Sequence, residues 1–145
     1  MNREREKINK RQTDFYQNFD KNLPSKIWSY FRNKALNNIK KQIGVEQDIN
    51  TLHKSWFGDL THKKVLDLGC YAGNVLSMHL AENSREYLGI DLSSKGIHSL
   101  SRRLEQLPCA KAEVKDFLSK EFQEKDFDLI YAYGVLHHFK DVDEL

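Results

Sequence analysis

The stretch Val65-Leu66-Asp67-Leu68-Gly69-Cys70-Tyr71-Ala72-Gly73-Asn74 constrains the fold more than any other part of the chain. A short apolar run that ends on an acidic residue and a glycine turn, and then opens a helical pattern, reads as a strand turning into a helix. Glycines at 69 and 73 let the chain reverse and let a ligand lie against backbone rather than Cβ atoms. From Val65 onward, short apolar runs alternate with helical stretches of about ten residues, the signature of βαβ units and a mainly parallel α/β sheet. The pattern predicts strands near Lys64–Leu68, Tyr87–Ile90, Ala110–Val114 and Asp128–Tyr133, and helices near Asn74–Glu82, Ser94–Gln106 and Val135–Phe139. Right-handed crossovers bring the loops that follow such strands to one edge, so ligand-binding residues are expected at strand C-termini.

The segment ahead of this reads differently. Residues 1–12 are polar and are expected to fray, whereas Ile27, Phe31, Ala35, Ile39 and Ile43, with Trp28 and Leu36 alongside, mark an amphipathic helix. Pro24 suits its first turn and Gly44 the position past its end. A shorter helix is expected over Thr51–Leu60. Such helices pack into a core, which is the plainer expectation, or cap a ligand site. The chain thus divides into an N-terminal helical segment, 1–60, on the lid or substrate side, and a ligand-binding domain, 61–145.

Charge follows the same division. The formal net charge of +2 hides 14 Lys/Arg against 7 Asp/Glu in residues 1–64, which is +7, and 9 against 14 afterwards, which is −5. The basic residues are spread rather than clustered, so nucleic acid is kept only as a rival partner and not as the expected one. With 39% hydrophobic residues the chain carries enough apolar surface for one core. Its longest apolar stretch, Leu129 to Leu136, is far below the ~20 residues of a membrane span. No apolar run follows the charged start, so the expected compartment is the cytoplasm. Cys70 and Cys109 stand far apart, which fits reduced thiols, and the six histidines show no metal-ligand spacing.

The ligand can be argued from details. Asp91 closes the second strand 22 residues after Gly69, where a carboxylate accepts hydrogen bonds from both ribose hydroxyls, implying an adenosine-bearing ligand. A dinucleotide fingerprint aligned on Gly69 requires glycines at 71 and 74, where this chain has Tyr71 and Asn74. Asp67 would also set a carboxylate beside an anionic pyrophosphate, which is costly when buried. A cationic ligand reverses that sign, and S-adenosylmethionine carries both an ammonium and a sulfonium. No Gly-Lys-Ser/Thr follows the loop, so a Walker-type phosphate site fails.

Here the residues resemble a family, the class I S-adenosylmethionine-dependent methyltransferases, and within it the small-molecule branch with a D-x-G-C-G-x-G first motif. The likeness runs from Val65 to Phe139: "VLDLGCYAGN" resembles the cofactor loop, "YLGIDLS" the second-strand motif, "VKDF" the third and "FDLIYAYGVLHHF" the fourth. It implies a Rossmann-like, doubly wound sheet, of which these would be the first four of seven strands. By the same resemblance Asp67, Gly69 and Gly73 hold the methionine end of the cofactor and Asp91 the ribose hydroxyls. Leu92 packs on the adenine, Asp116 accepts from its amino group, the Phe117 backbone meets its ring, and Tyr133 lies close to the reacting methyl. Tyr71 departs from the family's glycine, and its side chain is expected to turn away from the cofactor.

The expected reaction is in-line methyl transfer to a small-molecule acceptor, driven mainly by alignment. His137 and His138 follow the fourth strand and are weighed as a general base or as packing residues, the latter being the plainer reading. The resemblance ends before strands five to seven, so a C-terminally truncated chain, poorly soluble or inactive on its own, is expected. The rival readings are a noncatalytic cofactor-binding module, an NAD(P)-type domain and an RNA methyltransferase.

Overall fold

A computed structural model describes residues 3–18, 23–44 and 49–136. Three N-terminal helices, α1 (Arg3–Asn18), α2 (Leu23–Gln42) and α3 (Ile49–Phe57), precede an alternation of β1 (Lys64–Leu68), α4 (Val75–Asn83), β2 (Glu86–Asp91), α5 (Ser94–Leu104), β3 (Ala110–Val114) and β4 (Leu129–Tyr131). The strands form one sheet in the order β3-β2-β1-β4, and every neighbouring pair is parallel. This is the α/β, Rossmann-like sheet expected from the sequence.

β1 and β2 lie in the middle of the sheet and are buried on both faces, so they read as near-continuous apolar runs. Their side chains alternate between two cores. Val65, Tyr87 and Tyr131 point to one face, where α4 and α5 cover them with Leu76, Leu80, Ile97, Leu100 and Leu104. Leu66, Leu68, Leu88 and Ile90 point to the other, where Phe117, Phe122 and Phe127 from the β3–β4 connection lie over them. The chain winds outward from β1 through β2 to β3 and returns to the far side of β1 for β4. The crevice between the loops that follow β1 and β4 is therefore the switch point at which open α/β sheets bind ligands.

Three expectations need correction. The polar start expected to fray is helical from residue 3 on: Arg3–Asn18 forms a helix with no apolar stripe to announce it, and α1 packs against α5 while Asn9 hydrogen-bonds Asp116. The helix expected from Ile27 to Ile43 forms between Pro24 and Gly44, but it does not pack into the core. No residue of α2 is buried, and Ile27, Trp28, Phe31, Leu36 and Ile39 are all about half exposed or more, because no described element covers that face. The fourth strand is shorter than expected, pairing only at Leu129, Ile130 and Tyr131. Of the helix expected over Val135–Phe139, the part from His137 on, including His138, lies outside the described residues. No described helix is long and apolar enough to cross a membrane.

Candidate active site

The loop between β1 and α4 is held from three sides. The Ile90 carbonyl accepts both the Gly69 and the Cys70 N–H, at 2.9 and 3.1 Å, tying the loop to the end of β2. Arg103, in the last turn of α5, donates to the Ala72 and Gly73 carbonyls at 2.7 and 2.8 Å. Asn74 caps α4 by accepting from the Leu76 and Ser77 N–H groups, so the helix begins where the loop ends. Gly69 and Gly73 both have φ of 71°, where an L side chain is strained, and a Cβ on Gly69 would sit 2.4 Å from a Val135 methyl.

Tyr71, where glycine was the expected residue, also adopts a left-handed φ of 47°. Its ring lies on Gly96 in the first turn of α5, so close that a Cβ on Gly96 would fall 2.5 Å from the ring. Its N–H donates to Asp91 Oδ2 at 3.0 Å, and Asp91 Oδ1 accepts from Ser93 N–H at 2.7 Å. Asp91 is thereby fixed at the end of β2 facing the loop.

Asp67 is the electrostatic centre of the site. It is 2% exposed, and Tyr87 Oη donates to its Oδ2 at 2.7 Å. The Ser77 hydroxyl is near enough to lower the carboxyl's pKa yet meets no strict hydrogen-bond geometry. Burial pushes the Asp67 pKa up to about 6; the Ser77 and Tyr87 hydroxyls oppose that rise, and the Asp91 charge adds to it. Among the described residues no cation acts on it. Burial also pushes the Tyr87 hydroxyl and the Cys70 thiol up, so both stay protonated.

The remaining candidates follow the strand order. Asp116 lies just past β3, accepting from Leu118 N–H at 2.9 Å and from the Asn9 amide at 2.9 Å. The Phe117 ring is half-buried and packs 5.0 Å from Phe122 over the second core. Leu92 is half-buried between Asp91 and α5. Tyr133, just past β4, is 60% exposed and stacks 6.1 Å from Tyr131, whose hydroxyl accepts from the Asn74 amide at 3.4 Å. Asp67, Gly69, Gly73 and Asp91 are thus brought together directly. Asp116 and Leu92 lie toward β3, and Tyr133 lies across β1.

Several partners were not singled out in the sequence. Tyr87 looks like an ordinary strand aromatic, and only its i, i+2 relation to Gly89 hints that its hydroxyl needs room; a Cβ on Gly89 would sit 3.1 Å from it. Asn9 carries no signal, because its partner is 107 positions away. His53, expected to have no part in metal binding, meets the Tyr133 ring from α3, and Trp56, which carried no reading in the sequence, packs against His53.

Comparison with known proteins bears on this edge of the sheet. A ubiquinone biosynthesis O-methyltransferase of Acinetobacter baylyi is 28% identical over 100 residues, 64% of this chain and 42% of that one. Phosphoethanolamine N-methyltransferase 3 of Arabidopsis thaliana is 36% identical over 81 residues, 54% of this chain and 16% of that one. The chain therefore spans less than half the length of these curated relatives. The fold is shared with the magnesium protoporphyrin IX methyltransferase of Synechocystis PCC 6803, solved with bound S-adenosylmethionine, at a TM-score of 0.59, 15% identity, and coverage of 94% of this chain and 66% of that one. Residues 66–145 match the model of the methyltransferase domain family, more than half of the chain, and the chain belongs to that family.

Proposed function

We propose that this chain binds S-adenosylmethionine at the loop after β1 and transfers its methyl group to a small-molecule acceptor. The carrying observation is a buried carboxylate, Asp67, beside a second, Asp91, around a left-handed glycine loop, with no cation acting on Asp67 among the described residues. That arrangement repels a pyrophosphate and suits a ligand with a positive charge at one end and a ribose at the other. When bound, the cofactor supplies a methyl group activated by positively charged sulfur. The residues of this chain supply placement: Asp91 orients the ribose, the Asp67 field draws the cationic end toward the loop, and Asp116 and Leu92 address the adenine. No covalent enzyme intermediate is needed, since alignment of acceptor and methyl accounts for much of such a rate. The small-molecule reading draws support from the relatives, whose names specify ubiquinone biosynthesis and phosphoethanolamine.

Calorimetric titration with S-adenosylhomocysteine, with NAD as control, tests the cofactor. Binding of the first and not the second is expected, and Asp91→Asn should weaken it at least about tenfold, the size of a lost charge-assisted hydrogen bond. Preference for NAD would overturn the reading. Transfer of a labelled methyl group, measured separately, distinguishes an enzyme from a cofactor-binding module.

A further inference from the structure

α3 carries two side chains that its own packing does not use. His53 is half-buried and Trp56 is 68% exposed, and their rings lie 4.8 Å apart at 44°. The His53 ring also meets the exposed Tyr133 ring edge-on, at 6.2 Å and 62°. Tyr133 stacks on Tyr131, and Phe57 of α3 meets Tyr131 edge-on at 5.6 Å. Since Tyr131 accepts a hydrogen bond from Asn74, an unbroken run of rings leads from the end of the glycine loop to an open aromatic surface. An exposed tryptophan and an exposed tyrosine flanking an imidazole are unusual on a surface that has no partner.

We propose that His53, Trp56 and Tyr133 form the acceptor platform, and that it takes a planar aromatic molecule bearing a hydroxyl group. The proposal rests on the reading that the methyl-bearing end of the cofactor lies beside the Asp67–Gly73 loop. Trp56 and Tyr133 offer flat faces on which an aromatic ring stacks, and the imidazole between them offers a hydrogen-bonding edge to a hydroxyl. Among the described residues no carboxylate pairs with these three side chains, so an ammonium acceptor finds no counter-charge held on the platform. An aliphatic alcohol has no flat face to stack on the two rings and gains less from them than an aromatic one.

The test uses the full chain with Trp28→Phe, which leaves Trp56 as the sole tryptophan. Catechol is the phenolic probe, choline the ammonium probe and cyclohexane-1,2-diol the aliphatic one, each titrated by Trp56 fluorescence. Saturable quenching by catechol alone is expected, weakened at least fivefold by Tyr133→Ala and by His53→Ala, with His53→Gln recovering part of the loss. Should Trp28→Phe fail to fold, calorimetry on the unsubstituted chain gives the same comparison among probes. Catechol binding no tighter than the diol overturns the platform, and tighter binding of choline overturns the acceptor class. S-adenosylhomocysteine is titrated in parallel. If it fails to bind while catechol binds, the cofactor reading falls and the aromatic platform stands.

Discussion

Asp67 shows how one residue ties stability to ligand chemistry. Its folded pKa of about 6 lies above the ordinary 3.8 because burial disfavours the charge. A carboxyl raised in this way favours the folded state fully below about pH 4, and the contribution is lost as pH rises through about 6. The difference of roughly two pH units corresponds to about 3 kcal/mol. Urea unfolding at pH 4 and pH 7 should therefore show a fall in stability that Asp67→Asn reduces by about that amount. A bound ammonium favours the ionised carboxylate, so affinity for S-adenosylhomocysteine should move the opposite way and rise about tenfold between pH 5 and pH 7. Affinity that is flat across that range, or equally pH-dependent in Asp67→Asn, would remove Asp67 from the site. The acidity of position 67 was legible in the sequence. Its burial against Tyr87 was not, because that contact depends on a neighbouring strand and on the space left by Gly89.

Among the elements, α5 positions the loop through two contacts, the Gly96–Tyr71 packing and the Arg103 hydrogen bonds. Helix propensity alone favours Gly96→Ala by up to about 1 kcal/mol. The new Cβ, however, would lie 2.5 Å from the Tyr71 ring and 2.9 Å from its carbonyl carbon, and a backbone atom cannot swing aside as a flexible side chain can. The clash should win, with Gly96→Ala destabilising by about 1–3 kcal/mol, as overpacking typically does. Tyr71→Gly relieves a left-handed residue, worth about 1–2 kcal/mol, but gives up the packing of a half-buried ring, so its net cost should be small. Combining the two should cost less than the sum, since the ring clash disappears. Additive behaviour in thermal or urea denaturation would show that the contact is not tight. The βαβ elements were legible because each is written in local periodicity, with a glycine turn marking the end of the first strand; the caps at Asn74 and Ser93 emerged only in the structure. α1 was not, because the contacts that hold it, with α5 and Asp116, are distant in sequence and its residues carry no apolar stripe. The apolar face of α2 was legible as a pattern, but periodicity cannot say whether a partner element exists.

For the whole molecule, the decisive fact is that the candidate site belongs to no single element. Asp67, Asp91, Asp116 and Tyr133 lie at or just past the C-terminal ends of four different strands, and the order β3-β2-β1-β4 sets them along one edge. That much followed from the sequence, since parallel strands with crossovers must place their C-termini together. The aromatic surface at α3 did not, because nothing local says which way a helix ahead of the sheet will lie. A ligand that contacts several strand ends finds them only in the folded sheet, so its binding free energy adds directly to folding stability. At a concentration one hundred times its Kd, S-adenosylhomocysteine should raise the unfolding free energy by about 2.7 kcal/mol, on the order of 10 °C in Tm for a domain of this size. NAD at the same concentration should leave Tm unchanged, and Asp91→Asn should need about tenfold more S-adenosylhomocysteine for the same shift. Scanning calorimetry also reports how far that stabilisation spreads. If the loop and the strand ends form one site, the sheet melts as a single transition that moves as a unit with ligand concentration. A ligand-dependent shift confined to a minor early transition would mean that the glycine loop binds without the sheet, and the four-strand site would be wrong.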